Sequence, residues 1–242
     1  MKDTSAILTL DEIGIACNTD KSSRSRSRPD IAGEVPKLNE SGHDYLRKYE
    51  FFLNRFRDKS SFTLLELGAG PDWNIGASAR LWQQYFTRSD FKLRIADIKE
   101  SAIRLNNEST EVLVGDLGKR SFLLEISEGA HDVIIDDASH FWGHQLLALR
   151  ILFKSLNEGG IYIIEDIHTS FGKMRERYAK NASRDTYSVL VSLATLIAGK
   201  GRTHPILESA QEDDFSPIKL WRSIESVTFI NHSCIITKNG FY

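Results

Sequence analysis

The chain has 242 residues, 41% of them apolar and 26% charged, and a formal net charge of −2. That balance suits one globular domain with additions, or a small second module, and excludes the strongly basic class of nucleic-acid binders. Two cysteines, Cys17 and Cys234, exclude a disulfide framework and a zinc site built on thiolates alone. The most apolar run, Val189 to Ala198, is too short for a membrane span and is broken by Ser192 and Thr195. The N-terminus lacks the apolar core of a signal peptide. A soluble cytoplasmic protein is expected, with no membrane and no nucleic-acid partner.

Residues 1–20 read as a short helix or strand followed by a turn. The run from Lys21 to Pro29 alternates serine and arginine and ends in proline, a loop composition. Residues 23–41 are therefore expected to be mobile, as a plain solvated loop or as a lid. Tyr45, Leu46, Tyr49, Phe52, Leu53 and Phe56 recur at helical spacing. Residues 1–60 then form a helical N-terminal segment, and residues 61–242 the main domain.

From residue 62 the pattern alternates between strands and helices. Strands are expected at Phe62–Leu67, Leu93–Asp97, Glu111–Gly115, His131–Asp136 and Ile161–Glu165. Helices are expected at Ala77–Phe86, Trp142–Leu156 (ending at Gly159-Gly160) and Thr186–Ala198. Such alternation implies a parallel sheet with helices on both faces. Val227–Ile230 and Cys234–Thr237 flank Asn231-His232-Ser233 and read as a hairpin, hence an antiparallel pair at one edge. The fold class is α/β, Rossmann-like, in the layout of class I methyltransferases.

The first strand runs into Glu66-Leu67-Gly68-Ala69-Gly70-Pro71-Asp72, where glycines let the backbone turn sharply beside a ligand. A dinucleotide fingerprint needs a third glycine where Trp73 stands, and no lysine makes a P-loop. The loop carries Glu66 and Asp72 and no cation before Arg80. This suits a cofactor without phosphates and with a positive sulfonium, namely S-adenosylmethionine (SAM). Asp97, ending the second strand, can accept from both ribose hydroxyls, and Asp116 after the third can accept from the adenine amine. Both could instead merely cap the segments that follow.

Asp136-Asp137-Ala138-Ser139-His140 ends the fourth strand and Glu165-Asp166-Ile167-His168 the fifth. If these strands are neighbours, four carboxylates crowd one mouth, and a divalent cation such as Mg2+ would relieve their repulsion. Glu165 and Asp166 point to opposite faces within a strand, so both reach one ion only if the chain turns there. His140 is placed beside the ion, where a neutral imidazole can take a proton from a hydroxyl. Capping by Asp137 or Ser139, and surface positions for His140 and His144, are the alternatives.

These residues resemble the metal-dependent sugar O-methyltransferases of macrolide biosynthesis, the mycinamicin and tylosin type. The likeness runs over Asn18-Thr19-Asp20-Lys21, His43-Asp44-Tyr45, Leu64–Gly68, Gly76-Ala77-Ser78, Ile135–His140 and Gly159–Asp166. It implies Asp137, Glu165 and Asp166 as the Mg2+ ligands and His140 as the base. It also places Lys21 and Tyr45 near the cofactor; Glu66, Gly68, Gly70, Asp97, Asp116 and Asp136 are the other residues expected there. Ala138 replaces the family's usual glycine, and the serine-arginine stretch looks like an insertion. The implied partner is a small-molecule hydroxyl acceptor, sugar-like or a natural product; a homo-oligomer is left open. The rival readings are a metal-independent small-molecule methyltransferase, and a catalytically silent module binding SAM, or nucleic acid through Arg24, Arg26 and Arg28.

Overall fold

The computed structural model describes residues 7–26, 38–39, 41–88, 90–180, 182–208 and 217–240. Most of the stretch expected to be mobile, residues 27–37 and 40, lies outside them. The chain groups into two compact units, Met1–Ser61 with Ala69–Phe91, and Phe62–Gly68 with Lys92–Tyr242.

In the first unit, helix α1 (Leu10–Cys17) opens on a capping box in which Thr9 and Glu12 satisfy each other's backbone N–H. It closes on Asn18 in the left-handed region, whose N–H reaches back to the Gly14 and Ile15 carbonyls. Asp11, on α1, accepts from the Ser23 backbone N–H at 2.7 Å and its hydroxyl at 2.6 Å. The start of the serine-arginine stretch is thus tied down, and Ser25–Arg26 (β1) pairs antiparallel with Leu38–Asn39 (β2). The helical spacing after residue 44 gives α2 (Leu46–Leu53), continued by a 3-10 turn at Asn54–Phe56. Helix α3 (Ala77–Tyr85) completes the unit, and α1 packs against both α2 and α3.

The second unit is built on a seven-stranded sheet. Its strands are β3 (Phe62–Leu67), β4 (Phe91–Asp97), β5 (Thr110–Val114), β6 (His131–Asp136), β7 (Leu156–Ile164), β8 (Ile224–Ile230) and β9 (Ser233–Lys238), in the order β5-β4-β3-β6-β7-β9-β8. β3 with β6, β4 with β5, and β6 with β7 are parallel; β9 is antiparallel to both β7 and β8. Helices α4 (Arg120–Ile126), α5 (Trp142–Leu152) and α7 (Thr186–Ala198) belong to this unit, with the shorter α6 (Met174–Ala179) and α8 (Pro205–Glu208). The Val133-Ile134-Ile135 run makes β6 buried along its whole length, as a central parallel strand requires. Leu65, Ile134 and Tyr162 from the sheet pack with Phe122, Leu149 and Leu193 from the helices in one apolar core. No described helix is long and apolar enough to cross a membrane.

Most boundaries shift by a few residues, and one differs in kind from the expectation. α5 stops at Leu152, a 3-10 turn follows at Phe153–Ser155, and β7 is already under way at Leu156. The glycine pair does not end a helix. It sits in an irregularity of β7, where the register jumps from His131↔Leu156 to Val133↔Ile161. Gly159 has φ +69°, and a Cβ on Gly160 would come within 3.0 Å of the Asp132 carbonyl oxygen. Glycine is used here for a bulge and a close backbone approach.

Candidate active site

The chain visits β3, β4 and β5 toward one edge and then returns to β6 beside β3. In sheets of this kind, ligands bind outside the carboxyl ends of the strands where the order reverses. Gly68 follows β3 and Asp137 follows β6 at that point. The Asp137 N–H donates to the Leu67 carbonyl at 3.0 Å, and a Cβ on Gly68 would lie 2.3 Å from the Asp137 oxygen. With φ +99°, Gly68 is therefore required by the neighbouring strand end itself, whatever ligand the turn also serves.

Two further left-handed residues shape the acidic mouth. His140 has φ +56° and turns the chain into α5; Asp166 has φ +57° and turns it out of β7 into a 3-10 turn at Ile167–Ser170. These bends bring Asp137, His140 and Asp166 together, one ligand atom of each within 4.8 Å of the others, all half-buried. His140 Nε2 lies 3.4 Å from Asp166 Oδ2, and His168 Nδ1 lies 3.8 Å from Asp166 Oδ1. His140 Nδ1 is buried and has no hydrogen-bond partner among the described residues. Two carboxylates and an imidazole at such separations fit a divalent cation with oxygen and nitrogen donors.

Of the two acids expected to reach one ion, Asp166 belongs to that three-residue group and Glu165 does not. The turn begins at Asp166, so Glu165 is still governed by β7: its N–H donates to the Asp136 carbonyl at 3.0 Å, and its side chain is buried. Asp136 is also buried. Burial pushes its carboxyl up to about 7, against the opposing pull of nearby His140. The same burial, and then the Asp136 charge, push the Tyr162 hydroxyl well above its ordinary value.

Of the residues expected at the cofactor, Glu66 is buried at the end of β3 and Asp97 at the end of β4. Asp97 Oδ1 accepts from Lys99 N and Asp116 Oδ1 from Gly118 N, both at 2.8 Å. Each acid thus closes a turn two residues ahead, and neither caps the helix that follows, whose N-cap positions are Lys99 and Lys119. Asp116 also raises the pKa of His144, whose net shift is downward because burial dominates; Lys180 adds to the lowering. Ser139 holds His144 Nδ1 at 2.9 Å, so His144 is committed locally. In the first unit, the Lys21 carbonyl accepts from Tyr45 N at 2.8 Å, which brings those two residues together. Gly70 has φ +87°, and a Cβ there would meet only the Asn74 carbonyl oxygen, at 3.7 Å.

Some neighbours of the acids carry no signature in the sequence. His232, in the β8–β9 turn, packs its ring on His168 at 4.5 Å. Tyr178 of α6 packs its ring on His140 at 6.3 Å and on Phe141 at 5.9 Å. An aromatic within a short amphipathic segment is indistinguishable in the sequence from a core residue; only the fold sets it against His140.

No family model matches the chain. Among curated proteins it is 34% identical over 135 residues to the 8-demethyl-8-alpha-L-rhamnosyl tetracenomycin-C 2'-O-methyltransferase of Streptomyces olivaceus, covering 53% of this chain and 34% of that one. It is 31% identical over 139 residues to the mycinamicin VI 2''-O-methyltransferase of Micromonospora griseorubida, covering 53% and 33%. The chain is similar in sequence to sugar O-methyltransferases of natural-product biosynthesis. The matches take in about a third of those relatives' length. Among solved structures, the MycE methyltransferase in complex with Mg, SAH and mycinamycin VI superposes with a TM-score of 0.72 at 21% identity, over 97% of this chain and 56% of that one. A second crystal form, with Mg and SAH, gives 0.73 at 21%, over 98% and 55%. The fold is thus that of the class I methyltransferases, as the strand pattern and the sequence likeness imply.

Proposed function

We propose that the chain is a SAM-dependent, Mg2+-dependent O-methyltransferase acting on a hydroxyl of a sugar-like or natural-product acceptor. The observation that carries this reading is the meeting of Asp137, His140 and Asp166 at the carboxyl ends of adjacent strands. The sequence likeness to sugar O-methyltransferases supports it.

Asp137 and Asp166 would hold the cation, and the family likeness adds Glu165. A divalent cation held there would supply the charge that lowers the pKa of a nearby hydroxyl, and SAM, when bound, would supply the methyl group. The residues of this chain do the rest. His140 takes the hydroxyl proton at Nε2, the nitrogen on the carboxylate side of its ring. Tyr178 walls the ring and limits its rotation. Glu66, Gly68, Gly70, Asp97, Asp116 and Asp136, with Lys21 and Tyr45, are the residues proposed for the cofactor.

The test is methyl transfer from labelled SAM to a panel of glycosylated natural products, with and without chelator, alongside calorimetry with SAM. Transfer that stops in chelator and returns with Mg2+ is expected. Full transfer in excess chelator would favour the metal-independent reading. Asp97→Ala is expected to weaken SAM binding about tenfold or more, the worth of one hydrogen bond to a charged group; unchanged affinity removes Asp97 from the site.

A further inference from the structure

The turn that aims Asp166 is held through the residue before it. Ile164 is the last residue of β7 paired in the sheet, to Asp136 on one side and Cys234 on the other. Beyond it, the buried Glu165 carbonyl has left the ladder, and a buried carbonyl without a donor is costly. The donor comes from α5: Gln145 Nε2 reaches the Glu165 carbonyl at 2.9 Å. Gln145 is 1% exposed, and its Oε1 accepts from the Thr186 hydroxyl of α7 at 2.8 Å; Thr186 is fully buried. A carbonyl can only accept, so Gln145 must present its NH2 to Glu165. Its oxygen then faces Thr186, which must donate. On the far side of the turn, Ile167 N donates to the His232 carbonyl at 2.8 Å and Thr169 N to the Asp166 carbonyl at 3.1 Å.

We propose that Gln145, oriented by Thr186, is a positioning residue that fixes the Glu165–Asp166 turn and so sets the Asp166 carboxylate beside Asp137 and His140. This rests on the reading of Asp166 as a cation ligand. Neither residue hydrogen-bonds the acids' carboxylate oxygens. Their effect passes through one peptide group, whose orientation sets the left-handed bend at Asp166. Partners that orient a ligand from behind are a recognised determinant of metal affinity.

The experiment compares Thr186→Ser, which keeps the hydroxyl, with Thr186→Val, which keeps the shape and loses it; Gln145→Met removes the amide. Hydrogen exchange of the peptide spanning residues 164–170 reads the turn directly, and Mn2+ titration reads the ligand set, with Asp166→Asn as the reference for a lost ligand. Thr186→Val and Gln145→Met are expected to speed exchange in that peptide about fivefold or more, one hydrogen bond's worth. They are expected to weaken Mn2+ about tenfold or more, the range for partners behind a ligand. Thr186→Ser should match the wild type in both. Wild-type exchange and Mn2+ affinity in Thr186→Val and Gln145→Met, even with a lowered unfolding temperature, would overturn the proposal and leave the pair a structural one. A wild-type chain that binds no Mn2+ would overturn the cation reading instead, and the exchange comparison would then decide alone whether Gln145 holds the turn.

Discussion

The two ends of the second unit's sheet are built from similar residues and use them in opposite ways. At the end where β6 begins, Asp132 accepts from Thr63 N at 2.9 Å and from Asn157 Nδ2 at 2.7 Å. Beside it, Arg94 Nη1 donates to the Ile126 and Glu128 carbonyls and to His131 Nε2, and His131 Nδ1 meets Ser155 Oγ at 2.9 Å. An open groove of about 610 Å³ runs past Arg94 and His131, yet Arg94 there is already engaged with Glu111 as well. At the end where β6 stops, Asp137 and Asp166 face each other and His140 across a half-buried space, with Asp166 and His140 on left-handed backbone. Satisfied polar groups hold a fold together; like charges gathered at a strand end work against it and persist for chemistry.

The contrast is sharpened most by exchanging the proposed base. His140→Asn keeps a residue that tolerates the left-handed backbone and cannot accept a proton at neutral pH. Turnover is expected to fall by roughly 10²–10⁴-fold, the range for a lost general base. The unfolding midpoint and SAM affinity should hold. A loss of Mn2+ binding in this variant would make His140 a ligand instead.

At the opposite end the outcome should invert. Asp132→Ala leaves the Thr63 N–H and the Asn157 amide without their acceptor. It is expected to cost about 2–4 kcal/mol in urea unfolding, with turnover per folded molecule unchanged. An equal loss of turnover would mean that the two ends are coupled.

The smallest effect is in acid. Burial, and then the Arg94 charge, lower His131 from 6.5 to about 4. Below pH 6.5 the unfolded chain takes up a proton that the folded one refuses. The contribution is complete above pH 6.5 and is lost as pH falls toward 4, about 3 kcal/mol at most. His131→Gln, which keeps an acceptor toward Arg94, should flatten the decline of the unfolding temperature between pH 6.5 and 4. An unchanged slope would assign acid sensitivity to other groups.

Much of this was legible in the sequence because burial leaves a strong pattern. β6 and α7 occupy His131–Asp136 and Thr186–Ala198, the ranges their apolar content marks. The Asp137–His140 and Asp166 juxtaposition was readable because two strands end in acids side by side. What was hidden depends on single backbone angles and on distant partners. Nothing local marks Asp166 as left-handed, so Asp166 and Glu165 looked equivalent. Gly159-Gly160 reads as a helix stop because glycine serves stops and bulges alike, and only the pairing of β7 with β6 decides between them. Gln145 and Thr186 are ordinary residues of their helices; their bond spans 41 positions and belongs to no motif.

The hairpin carries a consequence for the order of synthesis. β9 enters the sheet between β7 and β8, and the turn before it supplies the His232 carbonyl that holds Ile167. Every acid of the mouth leaves the ribosome long before that strand does. A nascent chain therefore carries Asp137 and Asp166 without the neighbour that closes β7 on its outer side. That neighbour is translated after every acid of the mouth, and a chain interrupted before residue 232 would hold those acids in an unfinished frame.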